Sequence, residues 1–357
     1  MVPLVGGASD LVLDEGRGRL YLVNNSANRV EVYSLSQRRF LSPVLTDSAP
    51  VAAALSRSRR VLYVTCHEGS AVDLIDLDRL VVAGRVSLPA KPEGIAVGGD
   101  DRVLITTIGT GADNATNTLL VFDPRPEAPA ILSSLVVAPA PPTPPQLPPP
   151  SNRIFLACSS RLLTTKDGRY IIGLNGSTAA ARTLFVYEVA SATVLRSRVV
   201  GGISNVLAVS PDGSKFMAGL NLFATESLSV VARQNSANVR FTFPGGPTAN
   251  FDTQTNQGGS IFSTDGRTLY SAFNIVPVQT PPARPNVTRL LLSDPNNLLI
   301  RAGLQLPENL VGAMVISSDG ATIYALSESG FLVIPVGSIS QRPLLEPDLS
   351  AVLLASD

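Results

Sequence analysis

Few residues of this chain could perform chemistry, and two of them are adjacent. His67 is the only histidine, and it follows Cys66, one of two cysteines. A thiol and an imidazole can act as nucleophile and base when they lie within hydrogen-bond reach. Adjacent side chains of a strand, however, point to opposite faces of the sheet. We therefore predict that no residue of this chain is catalytic, although the restriction loosens if the strand ends at Thr65.

The same residue counts argue against bound metals and cofactors. A single histidine excludes a site built from several imidazoles of this chain. No loop has the regular Asp and Asn spacing of a calcium site. The chain also lacks a Gly-x-Ser-x-Gly elbow and a phosphate-binding loop. We expect no metal and no cofactor.

The two cysteines leave a disulfide open. Cys66 lies at a predicted connection between strands and Cys158 lies just before another strand, so both could lie toward the same face. We expect two unpaired thiols, with a bridge as the alternative. A separation of the Cα atoms beyond about 7 Å would exclude the bridge.

Charge and composition narrow the class of partner. The chain has 28 basic and 28 acidic residues among 357, so its formal net charge is zero. No overall field would attract nucleic acid or anionic lipid, and we expect no nucleic-acid partner. The chain has no apolar run long enough to span a membrane, and residues 1–4 lack the features of a signal peptide.

A repeated pattern of strands dominates the sequence. A short apolar strand, a polar turn that usually contains Asp or Gly, and a second apolar strand occur seven times. The second strands carry equivalent anchor residues, which are Tyr21, Tyr63, Ile105, Ile172, Met217, Tyr270 and Tyr324. Third and fourth strands follow in each unit, as in residues 72–75 and 81–86. Four short strands in about 42 residues are typical of one blade of a β-propeller.

The sequence therefore predicts an all-β fold, a seven-bladed β-propeller of four-stranded antiparallel blades over residues 1–336. The blades are expected at approximately 10–50, 51–93, 94–160, 161–204, 205–257, 258–311 and 312–336, with residues 337–357 as a C-terminal tail or linker. A solenoid of strands and helices is the alternative, but no segment has a sustained helical period.

The N-terminus is predicted to close the fold. Residues 5–9 resemble residues 200–204 at an offset of 195, close to the 196 that separates Tyr21 from Met217. The later copy ends an outer strand, and the seventh blade lacks one. We predict that residues 2–5 supply it, which removes an open edge that would favour aggregation.

Three segments carry a resemblance to a known repeat. They are Leu62-Tyr63-Val64-Thr65, Val72-Asp73-Leu74-Ile75-Asp76 and Pro92-Glu93-Gly94-Ile95-Ala96-Val97. These resemble the YVTN-type β-propeller repeat, and the resemblance extends over nearly the whole chain. One departure is Cys66, where the repeat usually has Asn. The resemblance implies a bacterial or archaeal protein outside the cytoplasm, in the periplasm, secreted or at the cell surface. It brings no shared catalytic residues.

Three insertions interrupt the repeat. Residues 139–150 contain eight prolines and predict an extended spacer. The others are residues 233–257 and 274–287. The second insertion contains Arg240, Phe243 and Phe251. Arginine and aromatic residues are frequent at interfaces, so we predict a binding role for these three.

We expect a monomeric, non-enzymatic module for interaction or display, whose protein or glycan partners bind loops at one propeller face. Two alternatives stay open. One is a lactonase-like hydrolase with its site at the central channel, and the other is a purely structural repeat of a larger surface protein. Convergent Asp, Glu and Arg at the channel mouth would favour the hydrolase, whereas Ser, Ala and Val would count against it.

Overall fold

The computed structural model describes residues 1–108, 118–125, 130–136, 160–178, 181–234, 257–273 and 289–340. They form two compact units, an N-terminal unit of residues 6–201 and a C-terminal unit of residues 1–5 and 202–357. The first strand of the chain, β1 (Val2–Pro3), belongs to the C-terminal unit.

The N-terminal unit contains four antiparallel blades. Blade one comprises β2 (Asp10–Asp14), β3 (Arg19–Asn24), β4 (Arg29–Ser34), β5 (Arg39–Phe40) and β6 (Val44–Leu45), of which β5 and β6 both pair with β4. Blade two comprises β7 (Pro50–Leu55), β8 (Val61–Cys66), β9 (Ala71–Asp76) and β10 (Val81–Ser87). Blade three comprises β11 (Lys91–Val97), β12 (Val103–Ile108), β13 (Thr118–Asp123) and β14 (Ala130–Val136). Blade four comprises β15 (Arg161–Thr164), β16 (Tyr170–Thr178), β17 (Ala181–Glu188) and β18 (Thr193–Val200).

The C-terminal unit contains the other three blades. Blade five comprises β19 (Leu207–Val209), β20 (Lys215–Ala218), β21 (Asn221–Ala224) and β22 (Val230–Arg233). Blade six comprises β23 (Gln257–Phe262), β24 (Leu269–Phe273), β25 (Arg289–Ser293) and β26 (Ile300–Gln305). Blade seven comprises β27 (Leu310–Ile316), β28 (Thr322–Ser327), β29 (Gly330–Pro335) and β1. The helical turn α1 (Gly337–Ser340) follows, and the sequence did not predict it.

Blade seven confirms the predicted closure by the N-terminus. In its sheet β1 lies beside β29, with Val2 opposite Phe331 and Pro3 opposite Gly330. The Leu4 amide also donates to the carbonyl of Ser329 at 2.9 Å. The strand is shorter than the predicted residues 2–5, but it completes the fourth position of the blade. The fold is therefore a seven-bladed β-propeller.

The apolar core lies between neighbouring blades within each unit. Tyr21 and Val32 of blade one, for example, pack in one cluster with Leu62 and Val64 of blade two. Blades two, three and six have a neighbour of the same unit on each face, which explains why their second strands are buried on both sides rather than alternating. Six of the seven anchor residues are buried, and Tyr324 is partly exposed. Full burial of one large apolar side chain contributes about 1.5–3 kcal/mol.

A shared hydrogen-bond pattern forms the turn between the first two strands in four blades. In blade five the Ser210 hydroxyl donates to Asp212 Oδ1 at 2.6 Å, and Gly213 adopts a φ of 70°. The turn aspartates with this bond are Asp167, Asp212, Asp265 and Asp319. The hydroxyl bond lowers the pKa of each of these carboxyl groups. Their carboxylates thus stabilise their own turns, as the Asp-Gly pattern indicates.

Candidate functional site

The connections at the two ends of the blades differ in length. First-to-second and third-to-fourth strand connections contain four to six residues in every described case. Because neighbouring strands are antiparallel, the second-to-third connections and those to the next blade lie at the opposite end of each unit. We name this the loop end. Its four longest connections are residues 109–117, 137–160, 234–256 and 274–288. Binding residues concentrate on such loops because a rigid scaffold positions them.

The predicted binding residues belong to one of these connections. Arg240, Phe243 and Phe251 fall between β22 and β23 and lie outside the described residues. Their role in binding stays a prediction. Cys158 also lies outside the described residues, so the alternative of a bridge to Cys66 is untested.

The first strands of the N-terminal unit carry charged residues at the loop end. These strands pack side by side, from β2 to β7, β11 and β15. Each anchor residue on a second strand pairs with one residue of the first strand of its blade. Two positions before that paired residue, blades one to four have Asp10, Ala52, Glu93 and Arg161 respectively. Three of the four blades therefore place an ionisable side chain at the same level of the first strand. In the C-terminal unit the equivalent residues are Val206, Gly259 and Ala313, which carry no charge.

Asp10 and Arg161 join blade one to blade four. Arg161 donates from Nη1 to Asp10 Oδ1 at 3.1 Å and from Nη2 to the Ser9 carbonyl at 3.2 Å. Asp10 also accepts the amides of Leu11 at 2.9 Å and Ala53 at 3.0 Å. About a fifth of each charged side chain is exposed, 17% for Asp10 and 21% for Arg161. The two charges neutralise each other and are held by strands of three blades.

His67 and Glu93 form a second polar cluster at the same end. His67 is 7% exposed, and the Nδ1 atom of its imidazole lies 3.1 Å from the Pro92 carbonyl and 3.6 Å from Glu93 Oε1. Its Nε2 lies 3.6 Å from Glu68 Oε1, and the other oxygen of Glu68 accepts from Lys91 Nζ at 2.6 Å. An imidazole between two carboxylates has the composition of a general base and its orienting partner. A proton on Nδ1 would be donated to the Pro92 carbonyl, which would orient the ring.

Cys66 faces away from this cluster. It ends β8, is fully buried, and its Sγ lies 3.7 Å from Asp73 Oδ2. Burial raises the pKa of the Cys66 thiol, and the Asp73 carboxylate raises it further. Arg85 in turn binds both oxygens of Asp73, at 2.6 and 3.2 Å. The thiol and the His67 imidazole thus have separate partners, although β8 ends at Cys66 and His67 already lies in the following turn.

The register also explains the departure from the repeat at Cys66. Asn24 holds the equivalent place at the end of β3, and its Nδ2 donates to Glu31 on the next strand at 3.1 Å. Cys66 makes the corresponding contact with Asp73. The thiol therefore occupies the place of a structural asparagine.

Neither composition nor a motif marks Asp10, Glu93 or Arg161 as site residues in the sequence. The signal that could have found them is the repeat itself, because aligning the blades by their anchors places all three at one position. Without the strand register, a charged residue at this position cannot be distinguished from the charged residues that are frequent in turns.

Among the described residues, no helix is long and apolar enough to cross a membrane. A comparison with protein-family models and with curated proteins found no match.

Solved structures share the fold. Hydrazine synthase of Kuenenia stuttgartiensis matches with a TM-score of 0.63 and 17% identity, over 94% of this chain and 97% of that chain. The β-propeller domain of Myceliophteria thermophila Cps50 (Swd1) matches with a TM-score of 0.62 and 13% identity, over 93% and 98%. U3-55K matches with a TM-score of 0.65 and 11% identity, over 94% and 97%. At these identities the likeness shows a shared propeller fold and not a shared function.

Proposed function

We propose that this protein is a non-enzymatic recognition module that binds a protein or glycan partner through the loop end. The observation that carries the proposal is the difference between the two ends of the blades. In each unit one end has uniformly short turns, whereas the other end has two of the four longest connections. Long connections at one end only are expected where loops serve recognition, because a purely structural repeat does not need long connections.

The charged groups of the loop end support binding rather than catalysis. Asp10 is paired with Arg161, and Glu68 with Lys91. Paired charges at the edge of a binding surface give specificity and orientation. The buried Cys66 thiol is poorly suited to be a nucleophile, since the thiolate is the reactive form and its pKa is raised.

The proposal includes the setting of the protein. We infer YVTN-type repeats from the three segments that resemble them, residues 62–65, 72–76 and 92–97, and with them a monomeric bacterial or archaeal protein located outside the cytoplasm. Arg240, Phe243 and Phe251 are the proposed contacts of the second insertion with the partner.

A hydrolase is the second candidate, because one specific observation favours it. Asp10, Glu93 and Arg161 lie at equivalent positions of the first strands at the loop end of the N-terminal unit, and Glu93 lies beside the only histidine of the sequence. The uncharged residues at the equivalent positions of the C-terminal unit count against it. A Glu93→Gln variant tests this candidate, since a hydrolase would lose turnover of an ester or lactone panel.

Photo-crosslinking from the two ends tests the recognition module. A benzoylphenylalanine replaces Glu68 at the loop end or, as the matched control, Arg79 in a short turn of the same blade; both positions are exposed. In the source cells we expect discrete crosslinked products from position 68 and none from position 79. Equal crosslinking from the two positions, or products only from position 79, would contradict the proposal. A glycan partner is sought with the purified chain on a glycan array, where Arg240→Ala should weaken binding.

A further inference from the structure

A pocket lies in the C-terminal unit at the end opposite the loop end, between blades five and six. Its volume is about 180 Å³. We name it the turn pocket, and its principal lining residues are Pro211, Asp212, Lys215, Phe262, Asp265 and Asn296. This volume is below the roughly 300–1,000 Å³ of pockets for drug-sized ligands, which limits an occupant to a small molecule.

Lys215 supplies the positive charge of the turn pocket. Its Nζ donates to Asn296 Oδ1 at 2.6 Å, and within the described part of the chain it forms no ion pair with a carboxylate. An ammonium group has three donors, so two are available to a ligand. The Asn296 side chain also presents its Nδ2 amide, which donates to no described residue. Together these groups can bind a carboxylate.

Asp265 supplies a negative charge on another wall. Its Oδ1 accepts the Ser263 hydroxyl at 2.6 Å and the Arg267 amide at 3.0 Å. These bonds lower the pKa of the carboxyl group, so it is ionised at neutral pH. Oδ2 accepts no bond from the described residues. In Asp212, by contrast, both oxygens accept bonds within their own turn.

Apolar side chains form part of the lining, beside the Asp212 carboxylate and the Ser210 and Ser214 hydroxyls. Phe262 is buried at the end of β23, and Pro211 and Pro295 also line the turn pocket. The combination of ammonium, carboxylate and apolar wall in so small a volume is complementary to one molecule that carries all three opposite features.

The corresponding cations of blade one are bound to the next blade. Arg19, which corresponds to Lys215, donates to the Leu77 carbonyl of blade two at 2.9 Å. Arg17 donates to the Arg59 carbonyl at 2.6 Å and forms an ion pair with Asp78. In blade one the cations bind groups of the neighbouring blade, whereas among the described residues Lys215 has one neutral partner, Asn296.

We propose that the turn pocket binds a small zwitterion, namely an α-amino acid with an apolar side chain. Its carboxylate binds Lys215 and Asn296, its ammonium group binds Asp265, and its side chain packs on Phe262. The site is independent of the proposed recognition through the loop end, and either can fail without the other.

Ligand-observed NMR titration of the full chain tests this site with L-leucine as the probe. Isocaproate and isoamylamine, which lack the amino and the carboxyl group of leucine respectively, serve as matched probes. We expect leucine to bind with a Kd of about 1 mM and each analogue about tenfold more weakly. Lys215→Met and Asp265→Asn should each weaken leucine binding about tenfold, because each removes one charge but keeps the shape of the side chain.

The control variant is Lys166→Met, which removes an exposed lysine from the equivalent turn of blade four and should leave leucine binding unchanged. Circular dichroism and Tm confirm that each variant is folded. Three results would overturn the proposal. The first is that the parent chain does not bind leucine, and the second is that it binds leucine and both analogues equally. The third is a Lys215→Met variant whose Tm falls because the bond to Asn296 is lost, but which binds leucine normally.

Discussion

Replacing Arg161 or Asp10 separates two effects at the loop end, the loss of a charge pair and the loss of a backbone acceptor. Exposed ion pairs contribute about 0.2–1 kcal/mol, and breaking a fully buried pair costs about 3–5 kcal/mol. Only about a fifth of each side chain is exposed, 17% and 21%. We therefore expect Arg161→Met to lower the free energy of unfolding by about 1.5 kcal/mol.

Asp10→Asn should cost more than Arg161→Met. Both carboxylate oxygens accept backbone amides, from Leu11 at 2.9 Å and from Ala53 at 3.0 Å. The Asn amide can offer an oxygen to only one of them and turns an N–H group toward the other. An unsatisfied buried donor costs a further 1–3 kcal/mol or so, which gives a total of about 3 kcal/mol.

Urea unfolding of the single and double variants measures both effects. The double variant should lose about 3 kcal/mol rather than the 4.5 or so that additivity would give, because the pair can be broken only once. Arg102→Met is the matched control, since Arg102 lies 3.6 Å from Asp100 in a more exposed pair and should cost below about 0.5 kcal/mol. Additivity of the two substitutions within about 0.5 kcal/mol, or a larger loss for Arg161→Met than for Asp10→Asn, would refute the reasoning.

Three further predictions concern the thiol, the turns and the closure. In a Cys158→Ser background, the native protein at pH 8 should resist iodoacetamide and react only when unfolded, because the raised pKa leaves Cys66 protonated; rapid native labelling would contradict this. The turn aspartates have folded pKa values below the ordinary 3.8, so their contribution to stability is present above about pH 4 and is lost as the pH falls through the folded pKa values. The free energy of unfolding should therefore fall below pH 4, and replacing all four by Asn should flatten that dependence in urea titrations. Gly330→Ala should destabilise the fold by about 1–3 kcal/mol and promote aggregation seen by light scattering, because the new Cβ would lie 2.1 Å from the Val2 carbonyl. Gly84→Ala, whose Cβ would meet Leu74 at 3.9 Å, is the control and should do neither.

Much of the fold could be predicted because its signals are local. Each anchor strand is an apolar run followed or preceded by a turn with Asp or Gly, and both features act within a few residues. The prediction that the N-terminus completes blade seven used a longer comparison, and β1 beside β29 confirms it. The helical turn at Gly337–Ser340 was missed, because four residues are too few for a helical period to be visible.

The candidate site could be predicted far less well. The sequence directed attention to Cys66 and His67 as neighbours, but the register gives them different partners, Asp73 for the thiol and Glu93 for the imidazole. Composition shows that charged residues are present. It cannot show which ones become buried or paired, since that depends on contacts between separate blades.

By itself, the sequence determined the number of blades, the strands within them and the chemistry of their turns. The physical reason is that alternation of side chains along a strand and the backbone freedom of turn residues are properties of a few consecutive residues. The tertiary structure alone decided that Asp10 would meet Arg161, 151 residues further along the chain. It also decided that Lys215, Asp265 and Phe262 would line one pocket. Such contacts arise from the packing of one blade against another, and the repeat in the sequence does not show which charged residues at equivalent positions form a pair.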